Sequence, residues 1–129
     1  MINKINLLYP EVSYKIVGSA FDVYNNIGSG FKESYYQKGL KEAFIKNNLK
    51  FIEHPSFPLR YNNKIIGRKI FDFLVEDKIV VEIKKGERFS KMNIDQVLEY
   101  LKTKKLELAI LMNFGKNGVQ FKRIINLSY

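Results

Sequence analysis

The chain contains no cysteine and a single histidine among 129 residues. Without thiols there can be no disulfide, no thiolate zinc site and no iron–sulfur cluster, and His54 alone cannot build a histidine metal site. Any metal must therefore be hard and held by oxygen. No run approaches the roughly 18 consecutive apolar residues of a membrane span. Met1 to Pro10 lacks the long apolar stretch and small-residue cleavage site of a secretory signal, so the expected location is cytoplasmic. There is no internal repeat, low-complexity tract or linker, which predicts one domain over residues 1–129. At 46% hydrophobic and 14% aromatic, the composition is ample for a single core.

Acid is also scarce. Thirteen Asp and Glu stand against 22 Lys and Arg, for a net charge of +9 and a pI near 9.6. Clustered lysines release counterions when they meet phosphates, so the excess suggests a polyanionic partner. The plainer reading, a solvated cationic surface of compositional origin, stands beside it.

Pro10 is placed to open a helix through about Ile27, with Val12, Ile16, Ala20, Val23 and Ile27 recurring at three and four. Gly28 and Gly30 end it. A second helix is expected from about Lys32 to Asn47, with Tyr36, Leu40, Ala43 and Phe44 as its buried stripe and Glu33 one turn earlier on that side. Strand patterns follow at Phe51–Glu53, Ser56–Tyr61, Lys64–Val75 and Lys78–Lys84, with Asn62-Asn63 as a hairpin turn. Ser90 can cap a third helix, Lys91 to Lys104, whose stripe is Ile94, Val97, Leu98 and Leu101. Gln96 and Tyr100, four apart, share another side of that helix, where they would line the rim of a cleft. Leu106–Met112 reads as a buried strand, and Asn117-Gly118 turns into a last strand, Val119–Ile125. The sum is α/β: helices packed on a central mixed sheet, with a crossover through the third helix to a parallel strand.

Glu82-Ile83-Lys84 closes an apolar strand, with Asp72 on the segment before it. The period of two puts Glu82 and Lys84 on one face and Ile79, Val81 and Ile83 on the other. A carboxylate on a central strand is costly unless metal or hydrogen bonds satisfy it. Two carboxylates converging with a lysine could hold Mg²⁺ and orient a water against a phosphodiester. Parity decides whether they converge. A two-residue turn at Glu76-Asp77 would pair Asp72 with Val81, whereas a three-residue turn or a bulge places Asp72 beside Glu82. Ordinary readings exist for the other candidates: Glu33 as a first-turn acid on the helix dipole, Gln96 and Tyr100 as a helix flank, and Gly28-Ser29-Gly30 as a terminator without the rest of a phosphate loop.

Gly30-Phe31-Lys32-Glu33-Ser34-Tyr35-Tyr36 fits the signature of the GxxExxY proteins of the PD-(D/E)XK nuclease superfamily. The resemblance continues through Asp72, Glu82-Ile83-Lys84, Gln96 with Tyr100-Leu101, Asn113-Phe114-Gly115 and Lys122-Arg123-Ile124. It implies a restriction-endonuclease-like αβββαβ core. It also implies an Mg²⁺- or Mn²⁺-dependent nuclease acting on nucleic acid, DNA in the reading adopted here. Asp72, Glu82 and the backbone carbonyl of Ile83 would hold the metal and Lys84 would act on the water. Glu33 would complete the acidic site, and Gln96 with Tyr100 would resemble the QxxxY element of RecB-like nucleases. The chain departs from the pattern at Ile70, where the family carries an arginine two positions before the aspartate; Arg68 and Lys69 are the nearby cations. A non-catalytic nucleic-acid-binding module or an accessory subunit retaining the fold is the alternative, with a homodimer or a larger complex open as the working assembly.

Overall fold

The computed structural model describes residues 8–84 and 89–127; Met1 to Leu7, most of the segment read above for a secretory signal, lie outside the described residues. α1 spans Pro10–Ile27, its proline at a position whose N–H needs no helical partner. Gly28, at φ 80, stops it and donates its N–H to the Tyr24 carbonyl. α2 spans Glu33–Lys46 and buries Tyr36, Leu40, Ala43 and Phe44. It lies close against α1 at Gly39, where a Cβ would sit 2.8 Å from Val23 Cγ1. No helix among the described residues is long and apolar enough to cross a membrane.

The strands are β1 (Phe51–Glu53), β2 (Ser56–Tyr61), β3 (Lys64–Ile70), β4 (Phe73–Val75), β5 (Ile79–Ile83), β6 (Leu108–Gly115) and β7 (Gly118–Ile125), with α3 (Lys91–Lys104) between β5 and β6. Five of them form one sheet in the order β1-β4-β5-β6-β7. β5 and β6 run parallel, as a crossover through α3 requires, and the other neighbours are antiparallel. The period of two divides the core. Ile79, Val81, Ile83, Leu108, Ile110 and Met112 join the cluster under α1 and α2. Val80, Ala109, Leu111 and Ile124 join the one under α3. All five β5 residues are buried, as expected of a central strand covered on both faces. The architecture is therefore α/β with a central mixed sheet flanked by helices, and α2-β1-β4-β5-α3-β6 supplies the expected αβββαβ order.

One element differs from the sequence expectation. Lys64–Val75 is not a single strand: β3 pairs only with β2, in a separate two-stranded ribbon, and the chain breaks at Phe71-Asp72 before entering the main sheet as β4. The residues of β3 are exposed or half-buried throughout, whereas Phe73 and Val75 are buried. A strand without a buried face cannot join a sheet covered by helices. Two hydrogen bonds fix the break: Phe71 N–H donates to the Pro55 carbonyl at 2.8 Å and His54 N–H to the Asp72 carbonyl at 2.9 Å.

Candidate active site

The turn between β4 and β5 sets the site. Glu76 and Asp77 both adopt left-handed φ, 53° and 56°, and Lys78 N–H closes the turn on the Val75 carbonyl at 3.0 Å. The register resumes with Val75 opposite Ile79 and Phe73 opposite Val81. Three residues thus separate the strands, and one step outward Asp72 stands opposite Glu82. Their hydrogen bonds tie the strand ends together: Asp72 N–H donates to Glu82 Oε1 at 3.1 Å and Ile83 N–H to Asp72 Oδ2 at 2.6 Å. Lys84 Nζ lies 3.4 Å from Glu82 Oε2.

Glu82 is only 3% exposed. Burial, then the charge of Asp72 and a hydrogen bond with it, push its carboxyl up to about 8, against the opposing pull of Lys84 and Lys69. The cations lose because desolvation acts on the whole side chain while Lys84 is itself partly solvated. Two carboxylates crowded together, one of them buried, have more negative charge than the surrounding protein neutralises. That is the electrostatic condition of a cation site built from oxygen donors.

α2 reaches the pair through a residue that the sequence reading passed over. Gln37 Nε2 donates to Asp72 Oδ1 at 2.5 Å, and Gln37 lies one helical turn after Glu33, on the same side. That i, i+4 relation to a candidate acid was the available signal. Glu33 itself sits half-exposed in the first turn of α2. Tyr36 anchors this end of the helix. Its ring stacks on Phe114 at 4.3 Å and 10°, its hydroxyl donates to the Gly28 carbonyl at 2.7 Å, and Tyr24 donates to the Gly115 carbonyl at 2.8 Å. The aromatic and glycine positions of the two motifs therefore clamp the α1–α2 connection onto β6.

Gln96 and Tyr100 separate in role. Gln96 is half-buried and lines a groove between β2 and α3 with Phe57, Leu59 and Met92. Tyr100 does not line a rim. It is 3% exposed and its ring packs against Phe71 at 4.9 Å and Phe57 at 5.5 Å, with burial raising its phenol above the usual value. Its contact with Phe71, the neighbour of Asp72, braces the break in the strand. Ile70 is exposed. Lys69 lies over the Phe71 ring at 5.4 Å and contributes positive potential at Glu82. Among the described residues no three acids or histidines gather as a metal-holding group, so the carboxylate set is the Asp72–Glu82 pair.

No curated protein matches the chain. Among solved structures, the crystal structure of SSO0001 superposes with a TM-score of 0.53 at 17% identity, covering 95% of this chain and 60% of that one. At that identity the likeness is one of fold, and the chain spans about 60% of that structure's length. Residues 10–124 match the PD-(D/E)XK nuclease superfamily. With the match running from the start of α1 to the end of β7 and through every residue of the carboxylate pair, the chain belongs to the PD-(D/E)XK nuclease superfamily.

Proposed function

We propose that the protein is an Mg²⁺- or Mn²⁺-dependent nuclease of the GxxExxY type, a single cytoplasmic domain that hydrolyses phosphodiester bonds in DNA. The observation that carries this reading is the buried Glu82 carboxyl facing Asp72 with Lys84 beside it. The donor set fits a hard divalent cation. Two carboxylates and the Ile83 carbonyl offer oxygen alone, and a second-row cation of this kind keeps most of its waters and needs few protein ligands. When bound, such a cation would supply the charge that stabilises a pentacovalent phosphorane-like transition state and acidify a bound water.

The remaining chemistry falls to side chains. Asp72 is held in orientation by Gln37 Nε2 and by Ile83 N–H, which fixes one carboxylate before substrate arrives. Glu82 is fixed by Asp72 N–H. Lys84 Nζ, beside Glu82, orients the attacking water and helps to remove its proton. Glu33, on the Gln37 side of α2, assists directly or through water. Gln96 contacts substrate along the groove between β2 and α3, and Tyr100 positions Asp72 through Phe71. Surface lysines guide the phosphate backbone.

The alternative is a non-catalytic nucleic-acid-binding module or an accessory subunit of a homodimer or larger complex. Ile70 in place of the family's arginine favours it. Cleavage of DNA and RNA, single-stranded and duplex, in Mn²⁺ decides between them. The nuclease reading expects metal-dependent cutting that Glu82→Ala abolishes and Lys84→Ala slows while leaving Mn²⁺ binding in place. No cleavage of any substrate, or activity surviving Glu82→Ala, makes the binding module the better account.

A further inference from the structure

The β2–β3 ribbon stands apart from the main sheet, and its composition is one-sided. From Pro55 to Phe71 there is no acid, while Arg60, Lys64, Arg68 and Lys69 supply four cations. Among the described residues Arg60, Lys64 and Arg68 form no ion pair. The register sorts the side chains into two faces. Phe57 stands opposite Lys69 and Leu59 opposite Gly67; at its root this face is covered, with Phe57 buried against Tyr100 of α3. The other face holds Pro58 opposite Arg68 and Arg60 opposite Ile65, with Ile70 at its base. Arg60, Ile65, Arg68 and Ile70 are all exposed. The shift in register between Leu59 and Arg60 makes Ile66 the extra residue, 69% exposed, and a bulge of this kind increases the ribbon's twist.

We propose that this bare face lies in the major groove of duplex DNA alongside the scissile phosphate, with Arg60 and Arg68 turned to the groove and Lys64 at the tip against the backbone. A two-stranded β-ribbon is one of the elements that B-form DNA's major groove admits, and an arginine pair is what contacts its base edges best. The charge selects a polyanion and repels a second copy of the same ribbon. The bare face carries no aromatic ring, so it lacks the stacking platform on which single strands are held. The major groove of an RNA duplex is too narrow to take it.

Position makes the contact useful. The ribbon's root, Ser56 opposite Ile70, is tied to Asp72 through the Phe71 and His54 hydrogen bonds. Six residues of strand extend roughly 20 Å. At about 3.4 Å per base step, the ribbon therefore covers on the order of six base pairs to one side of the carboxylates.

This inference rests on the nuclease reading for where the cut lies, but binding tests it without turnover. The probes are a blunt DNA duplex longer than the ribbon, its separated strand, and an RNA duplex, titrated by fluorescence anisotropy without metal over a series of salt concentrations. The triple variant Arg60→Ala, Lys64→Ala, Arg68→Ala should lose more than tenfold in DNA-duplex affinity at low salt. Its log–log salt slope should be shallower by about 2.7, at about 0.9 for each of three cations. The charge-preserving variant Arg60→Lys, Arg68→Lys should keep the slope, which separates lost charge from a disturbed ribbon. A slope that does not change in the triple variant overturns the inference, as does wild-type protein that prefers the single strand or the RNA duplex. Duplex binding lost with the ribbon, in a protein that never cleaves in Mn²⁺, would leave the ribbon standing and remove the nuclease. Cleavage indifferent to the triple variant would do the reverse.

Discussion

Glu82→Gln should remove most of the protein's pH dependence of stability between pH 5 and 8. The Glu82 carboxyl, ordinarily near 4.5, is raised to about 8 in the fold by burial and by Asp72. Below about 4.5 both folded and unfolded chains carry the proton, and the contribution is fully present. Between those values the unfolded chain is ionised and the folded one is not, so folding must take up a proton and stability falls as pH rises, levelling off above about 8. At about 1.4 kcal/mol per pH unit the whole span is on the order of 5 kcal/mol. In a chain of this size that is a shift in Tm of more than 10 °C, at roughly 3 °C for each kcal/mol. Glutamine keeps an oxygen to accept from Asp72 N–H and places an amide toward the Asp72 carboxylate, imitating the protonated acid at every pH. Thermal melts in a chelator from pH 5 to 9 should show a falling profile for wild type and a nearly flat one for the variant. The variant should be the more stable of the two above pH 8. Adding Mn²⁺ at pH 8 should raise the wild-type Tm and leave the variant unmoved. Parallel pH profiles for the two proteins would refute the claim that Glu82 is the buried, displaced acid.

Gln37→Ala deletes the Nε2 bond to Asp72 Oδ1, a hydrogen bond to a charged group of about 1.5–3 kcal/mol. Cleavage should fall about tenfold or more with an unchanged Tm, and an equal loss in Tm would make the residue structural only. Phe44, fully buried against Phe51 and Phe73, should cost about 3–5 kcal/mol on truncation to alanine, read from urea unfolding. Ser90→Ala removes the oxygen that accepts from Asn93 N–H at the start of α3 and should cost about 1 kcal/mol by the same measurement.

Helix positions were legible because local chemistry decides them: Pro10, Gly28 and Ser90 mark ends, and the three-and-four spacing of Tyr36, Leu40 and Phe44 marks a buried face whatever the rest of the chain does. The alternation of Glu82 and Lys84 against Ile79, Val81 and Ile83 was legible for the same reason. The three-residue turn could only be stated as a requirement, because Glu76 and Asp77 admit turns of either parity, and the pairing of β4 with β5 chooses between them. The break at Phe71-Asp72 was not legible. Lys64–Val75 has one continuous local strand propensity, and only the burial of Phe71 under α3 and of Phe73 under α2 forces its two halves into different sheets. Gln37 belonged to the same class. A glutamine on a helix says nothing about its partner until α2 packs over the sheet end and brings it to Asp72. Sequence by itself determined which residues could form helices and which faces they would bury, because those depend on neighbours a few positions away. Tertiary structure decided which carboxylate meets which amide, and how far the proton affinity of Glu82 is displaced, because both depend on distances and desolvation between residues far apart in the chain.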